Sequence, residues 1–164
     1  MSYRIRVGQE KDLKRLTEIY NMSIEEGGIT AYTETFTIDE RKEWLSSFNH
    51  KYPLFVIEED GFVLGYSYLS PYRPGRRALS SVVEISYYLD LNYIGRGIGS
   101  TLIEHTINIS KELGYLTMVA ILLSSNIRSI SILEKFGFCL WGEIPESAQF
   151  GENWYSHIYY GRKL

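Results

Sequence analysis

Residues 84–100 read Glu-Ile-Ser-Tyr-Tyr-Leu-Asp-Leu-Asn-Tyr-Ile-Gly-Arg-Gly-Ile-Gly-Ser. The first residues are typical of a β-strand that carries a carboxylate, Glu84, and the last ones begin a helix. Between them, glycines at 95, 97 and 99 leave backbone N–H groups uncovered at the helix N-terminus. Such a terminus binds phosphate, because free donors and the positive end of the helix dipole both point at the anion. The stretch therefore predicts an enzyme that takes one substrate from a nucleotide-like cofactor.

Two familiar glycine motifs do not fit this loop. In a dinucleotide fingerprint, GxGxxG, the third glycine falls at Ser100, and the next strand lacks the acid that binds ribose. A Walker A loop needs a Lys-Ser/Thr pair, which the loop does not contain. The remaining alternatives are a phosphate cradle of backbone amides and a turn without a ligand, and the three alternating glycines favour the cradle.

Glu84 lies within a predicted strand over Ser81–Leu89, whose side chains alternate between two faces. Taken alone, the residue fits a solvated sheet face. The strand leads directly into the glycine loop, however, and a basic loop with Arg73, Arg76 and Arg77 precedes it. A carboxylate among apolar and aromatic walls has a raised pKa, which suits a general base.

Composition limits the remaining function classes. The chain has 164 residues, 45% of them hydrophobic and 23% charged, which predicts a single domain over residues 1–164. A net charge of −3 argues against a nucleic-acid-binding surface. The one cysteine, Cys139, is expected to be a buried structural thiol and indicates a cytoplasmic protein. No apolar run suggests a membrane span or signal peptide, and His50, His105 and His157 lack metal-ligand spacing.

The hydrophobic periodicity predicts a mixed α+β fold. Strands are expected at Tyr3–Val7, Pro53–Glu58, Phe62–Ser70, Ser81–Leu89, Tyr115–Leu123, Phe138–Gly142 and Asn153–Arg162, the last two around a loop with Pro145 and Gly151. Helices are expected at Glu10–Ser23, Ile38–Phe48, Gly97–Leu113 and Ser125–Phe136. Asn126, at the start of the last helix, is explained by helix capping or by a side-chain contact to a cofactor.

Together these motifs resemble the GNAT acyl-CoA N-acyltransferases. That family combines an R/Q-x-x-G-x-G/A pyrophosphate loop with a later Asn and a K-x-G-F ending, here Ile94–Gly99, Asn126 and Lys135–Phe138. Within the family, the chain is similar to phosphinothricin and L-methionine sulfoximine acetyltransferases through residues such as Thr30–Glu34 and Gly151–Trp154. The resemblance runs from about residue 3 to 162.

The resemblance implies the GNAT fold, with a central sheet of six to seven strands and about four helices. It implies acetyl transfer from acetyl-CoA, without a metal, to the primary amine of a small amino acid or analogue, in a homodimer. Glu84 would be the general base. Substrate-binding residues would be Arg73, Glu84, Ile85 and Ser86. Cofactor-binding residues would be Tyr87, Tyr88, Leu89, Gly95, Arg96, Gly97, Ile98, Gly99, Ser100 and Asn126.

Two positions depart from the family pattern. Ile94 replaces the first Arg or Gln of the loop, so one side-chain contact to the cofactor is lost. Leu133 stands where many members carry a tyrosine that protonates the departing thiolate. These departures support one alternative, a non-catalytic acyl-CoA-binding sensor. A second alternative is a protein N-terminal acetyltransferase, which would need an open groove for a peptide. An assay of thiol release with several amines separates them.

Overall fold

The computed structural model describes residues 3–164. In it, seven strands form one mixed sheet, and four α-helices pack on its two faces. The strands are β1 Arg4–Val7, β2 Leu54–Glu59, β3 Phe62–Pro71, β4 Val82–Leu89, β5 Thr117–Leu123, β6 Cys139–Phe150 and β7 Asn153–Lys163. The helices are α1 Leu13–Glu26, α2 Ile38–Ser46, α3 Ile98–Glu112 and α4 Ile127–Lys135. The predicted α+β class is confirmed.

The sheet has the order β1-β2-β3-β4-β5-β7-β6. Its central pair, β4 and β5, is parallel, whereas the other neighbouring pairs among the described strands are antiparallel. The parallel pairing extends over only three positions and ends where Glu84 meets Val119. Beyond that point β4 pairs only with β3 and β5 only with β7, so a cleft opens inside the sheet.

The two faces of β4 enter different cores. Val83 and Ile85 are buried against α3 and α4, in a cluster with Ile103 and Leu133. The opposite face lies beneath α1 and α2, where Tyr88 packs against the cluster built around Leu16, Ile19 and Tyr66. Side chains on a strand alternate between faces, and this strand follows the predicted alternation.

The final hairpin corrects two expectations. β6 does not end at Gly142 but continues to Phe150, and Pro145 falls in a register irregularity between Ile144 and Ala148. A bulge accommodates proline because a residue outside the ladder needs no N–H donor. Cys139 is exposed, so the prediction of a buried thiol is wrong. It begins β6, an edge strand of the sheet.

None of the helices among residues 3–164 has the length and apolar character needed to cross a membrane.

Candidate active site

The cleft between β4 and β5 continues into a groove of about 570 Å³ that passes the N-terminal ends of α3 and α4. It brings together most of the residues predicted for cofactor and substrate. These are Ile85, Ser86, Tyr87, Tyr88, Leu89, Gly95, Gly97, Ile98, Gly99, Ser100 and Asn126.

One wall of the groove is the backbone edge of β4. The N–H of Asp90 donates to the carbonyl of Leu64 at 2.8 Å, which fixes which residues of β4 bond to β3. In an antiparallel ladder, every second residue directs both backbone groups to the other side. By this register Ile85, Tyr87 and Leu89 present their N–H and C=O groups to the cleft. An extended ligand with amide groups can bind such an edge as an added strand.

The opposite end of the groove is the glycine loop. Gly95 and Gly97 have φ of 86° and 78°, in the left-handed region that favours glycine. The first bond of α3 runs from the Thr101 N–H to the Gly97 carbonyl at 3.1 Å. The N–H groups of residues 98–100 precede it and belong to the donors of the helix N-terminus that have no partner within the helix. A Cβ on Gly99 would lie 3.1 Å from Leu89 Cδ1, so glycine permits the close approach of α3 to β4.

Two ion pairs hold this loop. Asp90 accepts from the Asn92 N–H at 2.9 Å and pairs with Arg15 of α1. The Arg96 guanidinium pairs with Glu59 at 2.8 Å instead of lining the groove. Arg96 is therefore a residue predicted for cofactor binding that does not line the groove.

Sequence reasoning missed both ion pairs. The position of Asp90, directly after a strand and before a short turn, is the signal that could have identified it as a cap.

Glu84 lies at the apex of the cleft, directly before the groove residues Ile85 and Ser86, and is not itself among the residues that line the groove. Its side chain is partly buried, and burial raises the pKa of its carboxyl above the ordinary value. Among residues 3–164, no Lys or Arg forms an ion pair with it. A carboxylate that is desolvated and not neutralised is a stronger proton acceptor than an exposed one, which fits the predicted base.

The other predicted positions differ in how directly they face the groove. Asn126 caps α4 by accepting from the Ser129 N–H at 3.2 Å and also lines the groove, so both interpretations fit its place. Leu133 lines the groove and is 1% exposed. Arg73 is exposed in the loop after β3, with φ of 55°, and does not line the groove.

An aromatic cluster covers the other face of β4. The Tyr88 ring packs edge-on against Tyr20 of α1, with centroids 4.7 Å apart, and Tyr32 lies 6.0 Å from Tyr20. Arg41 of α2 stacks over Trp44 at 3.5 Å from the ring centroid. This cluster fixes Tyr88 on the α1 side of the sheet.

Between positions 3 and 164, no group of three His, Cys, Asp or Glu side chains is arranged to hold a metal ion.

The chain was compared with known proteins. It is 34% identical over 156 residues to a phosphinothricin N-acetyltransferase of Streptomyces coelicolor, which covers 92% of this chain and 91% of that protein. It is 30% identical over 149 residues to an L-methionine sulfoximine/L-methionine sulfone acetyltransferase of Salmonella typhimurium, covering 90% and 86%.

Among solved structures, a phosphinothricin acetyltransferase of Sinorhizobium meliloti in complex with acetyl-CoA superposes with a TM-score of 0.93. It is 29% identical and covers 100% of this chain and 89% of that one. Residues 5–159 match the family described as acetyltransferase (GNAT) domain. The glycine loop, the divided sheet and these similarities agree, and the chain belongs to the GNAT acetyltransferases.

Proposed function

We propose that this enzyme transfers the acetyl group of acetyl-CoA to the primary amine of a small amino acid or analogue, with Glu84 as general base. One observation carries the proposal. Glu84 lies where β4 and β5 separate, directly before Ile85 and Ser86 at one end of a groove whose other end is the glycine loop. The groove thus joins a desolvated base to a site for a phosphate-containing donor.

The groove fits the parts of acetyl-CoA. The N–H groups of residues 98–100 would bind the pyrophosphate oxygens, since a helix N-terminus favours anions. The amides of the pantetheine arm would pair with the open edge of β4 at Ile85, Tyr87 and Leu89 as an added strand. From Leu89 to Ile85 this edge spans about 13 Å of strand. The thioester would then lie beside Glu84 and Ser86.

The chemistry follows from this placement. Glu84, directly or through a water molecule, takes a proton from the substrate ammonium, and the free amine attacks the thioester carbonyl. The C–N bond forms, the attacking nitrogen releases its second proton to water, the C–S bond breaks, and the electron pair goes to the sulfur of coenzyme A. Backbone N–H groups at the edge of β4 stabilise the oxyanion. Cys139 is not at the groove, which supports direct transfer without an acyl-enzyme.

The acceptor class rests on the relatives named for phosphinothricin and methionine sulfoximine acetylation. Both names denote small amino-acid analogues. In our proposal Arg73, in the loop that follows β3, contacts the acidic group of the acceptor. We also propose a cytoplasmic location, which the single cysteine favours.

We further propose a homodimer formed through the final hairpin. Its Leu140, Trp141, Ile144 and Trp154 are each about half exposed, and β6 is an edge strand. An exposed apolar edge is an established basis for pairing between chains, and a second copy would cover this one with the same surface.

A thiol-release assay tests the activity. Purified enzyme is given acetyl-CoA with phosphinothricin, methionine sulfoximine, several amino acids and a peptide with a free N-terminus. Turnover of small amines is expected, and Glu84→Gln should lower kcat by roughly 10²–10⁴-fold while the Kd of acetyl-CoA stays the same. Glu104→Gln, an exposed carboxylate on α3, is the matched control.

The outcomes separate the alternatives. Turnover of the peptide alone would identify a protein N-terminal acetyltransferase. Binding of acetyl-CoA without turnover of any amine would identify a sensor. Unchanged kcat in Glu84→Gln would exclude Glu84 as the base.

A further inference from the structure

We propose that the Tyr87 hydroxyl donates a hydrogen bond to the thioester sulfur of the bound acyl donor and stabilises the thiolate that leaves. The inference rests on the proposed function for the placement of acetyl-CoA, and it assigns to Tyr87 a role beyond that of its backbone.

The first observation is an unsatisfied polar atom. The hydroxyl oxygen of Tyr87 is buried and has no hydrogen-bond partner, although its side chain lines the groove. The Ser129 hydroxyl lies beside it without completing a hydrogen bond of normal geometry. A buried hydroxyl without a partner costs about 1–3 kcal/mol, which a ligand that supplies an acceptor recovers.

The second observation is the apolar surrounding. Ile85 and Tyr87 place their side chains on the α4 side of the sheet, where Ala120, Leu122 and Leu133 complete the inner groove. None of these neighbours of Tyr87 carries a side-chain donor. Tyr88, the adjacent hydroxyl in sequence, lies on the opposite face against Tyr20. Tyr87 thus brings a buried hydroxyl without a hydrogen-bond partner to this apolar part of the groove.

The position along β4 is the third observation. Glu84 marks the acceptor end of the cleft, and Tyr87 is three residues further towards the glycine loop. In acetyl-CoA the sulfur lies between the acyl group and the pantetheine arm. The sulfur should therefore lie between Glu84 and Tyr87 along β4.

The step balances without another reactant. As the C–N bond forms and the C–S bond breaks, the electron pair moves to sulfur and the Tyr87 O–H donates to it. Burial raises the pKa of Tyr87 to about 12, above the roughly 8.5 of a thiol, so the proton stays on the phenol oxygen. The thiolate is therefore stabilised by a hydrogen bond and takes its proton from water on release.

Titration of bound coenzyme A tests this inference. The free thiol of the product is bound to wild-type enzyme at saturation, and the ultraviolet absorbance of the thiolate is followed against pH. We expect the bound thiol to have a pKa below that of free coenzyme A. In Tyr87→Phe this pKa should rise by about one to two units, equal to a 10- to 100-fold loss of thiolate stabilisation, and kcat should fall similarly.

Two further measurements keep the result specific. The Kd of coenzyme A below neutral pH should be unchanged in Tyr87→Phe, because the thiol form gains little from the donor. The control is Tyr115→Phe. The Tyr115 hydroxyl donates to the Lys51 carbonyl at 2.9 Å, and neither residue lines the groove, so this substitution should leave the pKa of the bound thiol unchanged. Tyr87→Phe should unfold no more easily than wild type, because it loses no protein hydrogen bond.

Other results overturn the inference. A weaker Kd with an unchanged thiol pKa would mean that the hydroxyl holds the pantetheine arm. An unchanged pKa together with unchanged kcat would mean that Tyr87 only fills space. The titration needs no acceptor amine, so either result leaves the proposed acetyl transfer intact, whereas failure of wild type to bind coenzyme A would contradict the proposed function itself.

Discussion

Arg15 and Asp90 form a buried ion pair that joins α1 to the residue directly after β4. The side chain of Asp90 is 3% exposed and that of Arg15 17%. The same carboxylate caps the short turn that leads into the glycine loop. The pair therefore links the position of α1 to that of the phosphate cradle.

Asp90→Asn should lower the free energy of unfolding by about 3 kcal/mol, because the partly buried Arg15 guanidinium then loses its buried counter-charge and keeps only the more exposed Glu18. Urea unfolding followed by circular dichroism measures the change. Asp39→Asn is the control, since Asp39 pairs with Lys42 on the exposed surface of α2 and its loss should change little. Equal effects of the two substitutions would show that the Arg15 pair contributes no special stability.

Two aspartates should make the fold sensitive to acid. Burial alone raises the pKa of Asp90 and of Asp12, but hydrogen bonds and guanidinium partners outweigh it, and both pKa values are lowered. Asp12 accepts two bonds from Arg6, at 2.7 and 2.9 Å.

A lowered folded pKa stabilises the fold above the unfolded value near 3.9, and this contribution is lost as the pH falls through the folded value. The urea midpoint should thus decrease from about pH 4 downwards, more steeply in wild type than in Asp90→Asn. Parallel curves for the two proteins would contradict the assignment to Asp90.

How far the sequence predicts this molecule depends on the distance over which each feature is determined. The alternation of β4 and the glycines at 95 and 97 are local, and the structure follows them. The side chain of Arg96, a residue of the predicted cradle, pairs with Glu59, which is 37 residues away in sequence, and no local pattern reveals that pair.

The final hairpin shows the same limit. Pro145 and Gly151 both indicate a loop, yet pairing with β7 extends β6 through the proline by means of a bulge. Cys139 looks like the first residue of an apolar core strand, and only the sheet order shows that this strand is an edge. The divergence of β4 from β5, which creates the groove, is likewise a property of the sheet and not of either strand.

Gly97→Ala should weaken both the fold and the binding of coenzyme A. Its φ of 78° costs an alanine about 1–2 kcal/mol, and relaxation would turn the neighbouring amides away from the phosphate. Loss of one charge-assisted bond would raise the Kd of coenzyme A roughly tenfold.

Gly114→Ala is the matched control, and isothermal titration calorimetry measures the Kd of coenzyme A for both variants. Gly114 has φ of 83° with open space around its Cα, but it follows the far end of α3. It should cost similar stability and leave the Kd unchanged. A Kd raised equally by both substitutions would assign the effect to general destabilisation.

Trp154→Glu should dissociate the proposed homodimer. Trp154 is half exposed on the final hairpin, and a buried aromatic at an interface commonly contributes 2 kcal/mol or more, so the dimer Kd should rise roughly 30-fold or further. Sedimentation velocity measures it. Leu116→Glu places the same charge at an exposed apolar residue outside the hairpin and should not change the oligomeric state. A wild-type monomer at high protein concentration would disprove the dimer.

The pH dependence of kcat/KM should report Glu84. Burial raises the pKa of this carboxyl, and the base acts only when deprotonated, so activity should rise with pH through a value above the ordinary 4.3 of glutamate. In Glu84→Gln this acidic limb should disappear together with most of the activity, whereas Glu104→Gln should keep the limb at its wild-type position. Because the acceptor amine also loses a proton on going to higher pH, the profile is repeated with an acceptor of different amine pKa. A limb that moves with the acceptor belongs to the amine, and a limb that stays fixed belongs to the enzyme and is expected for Glu84.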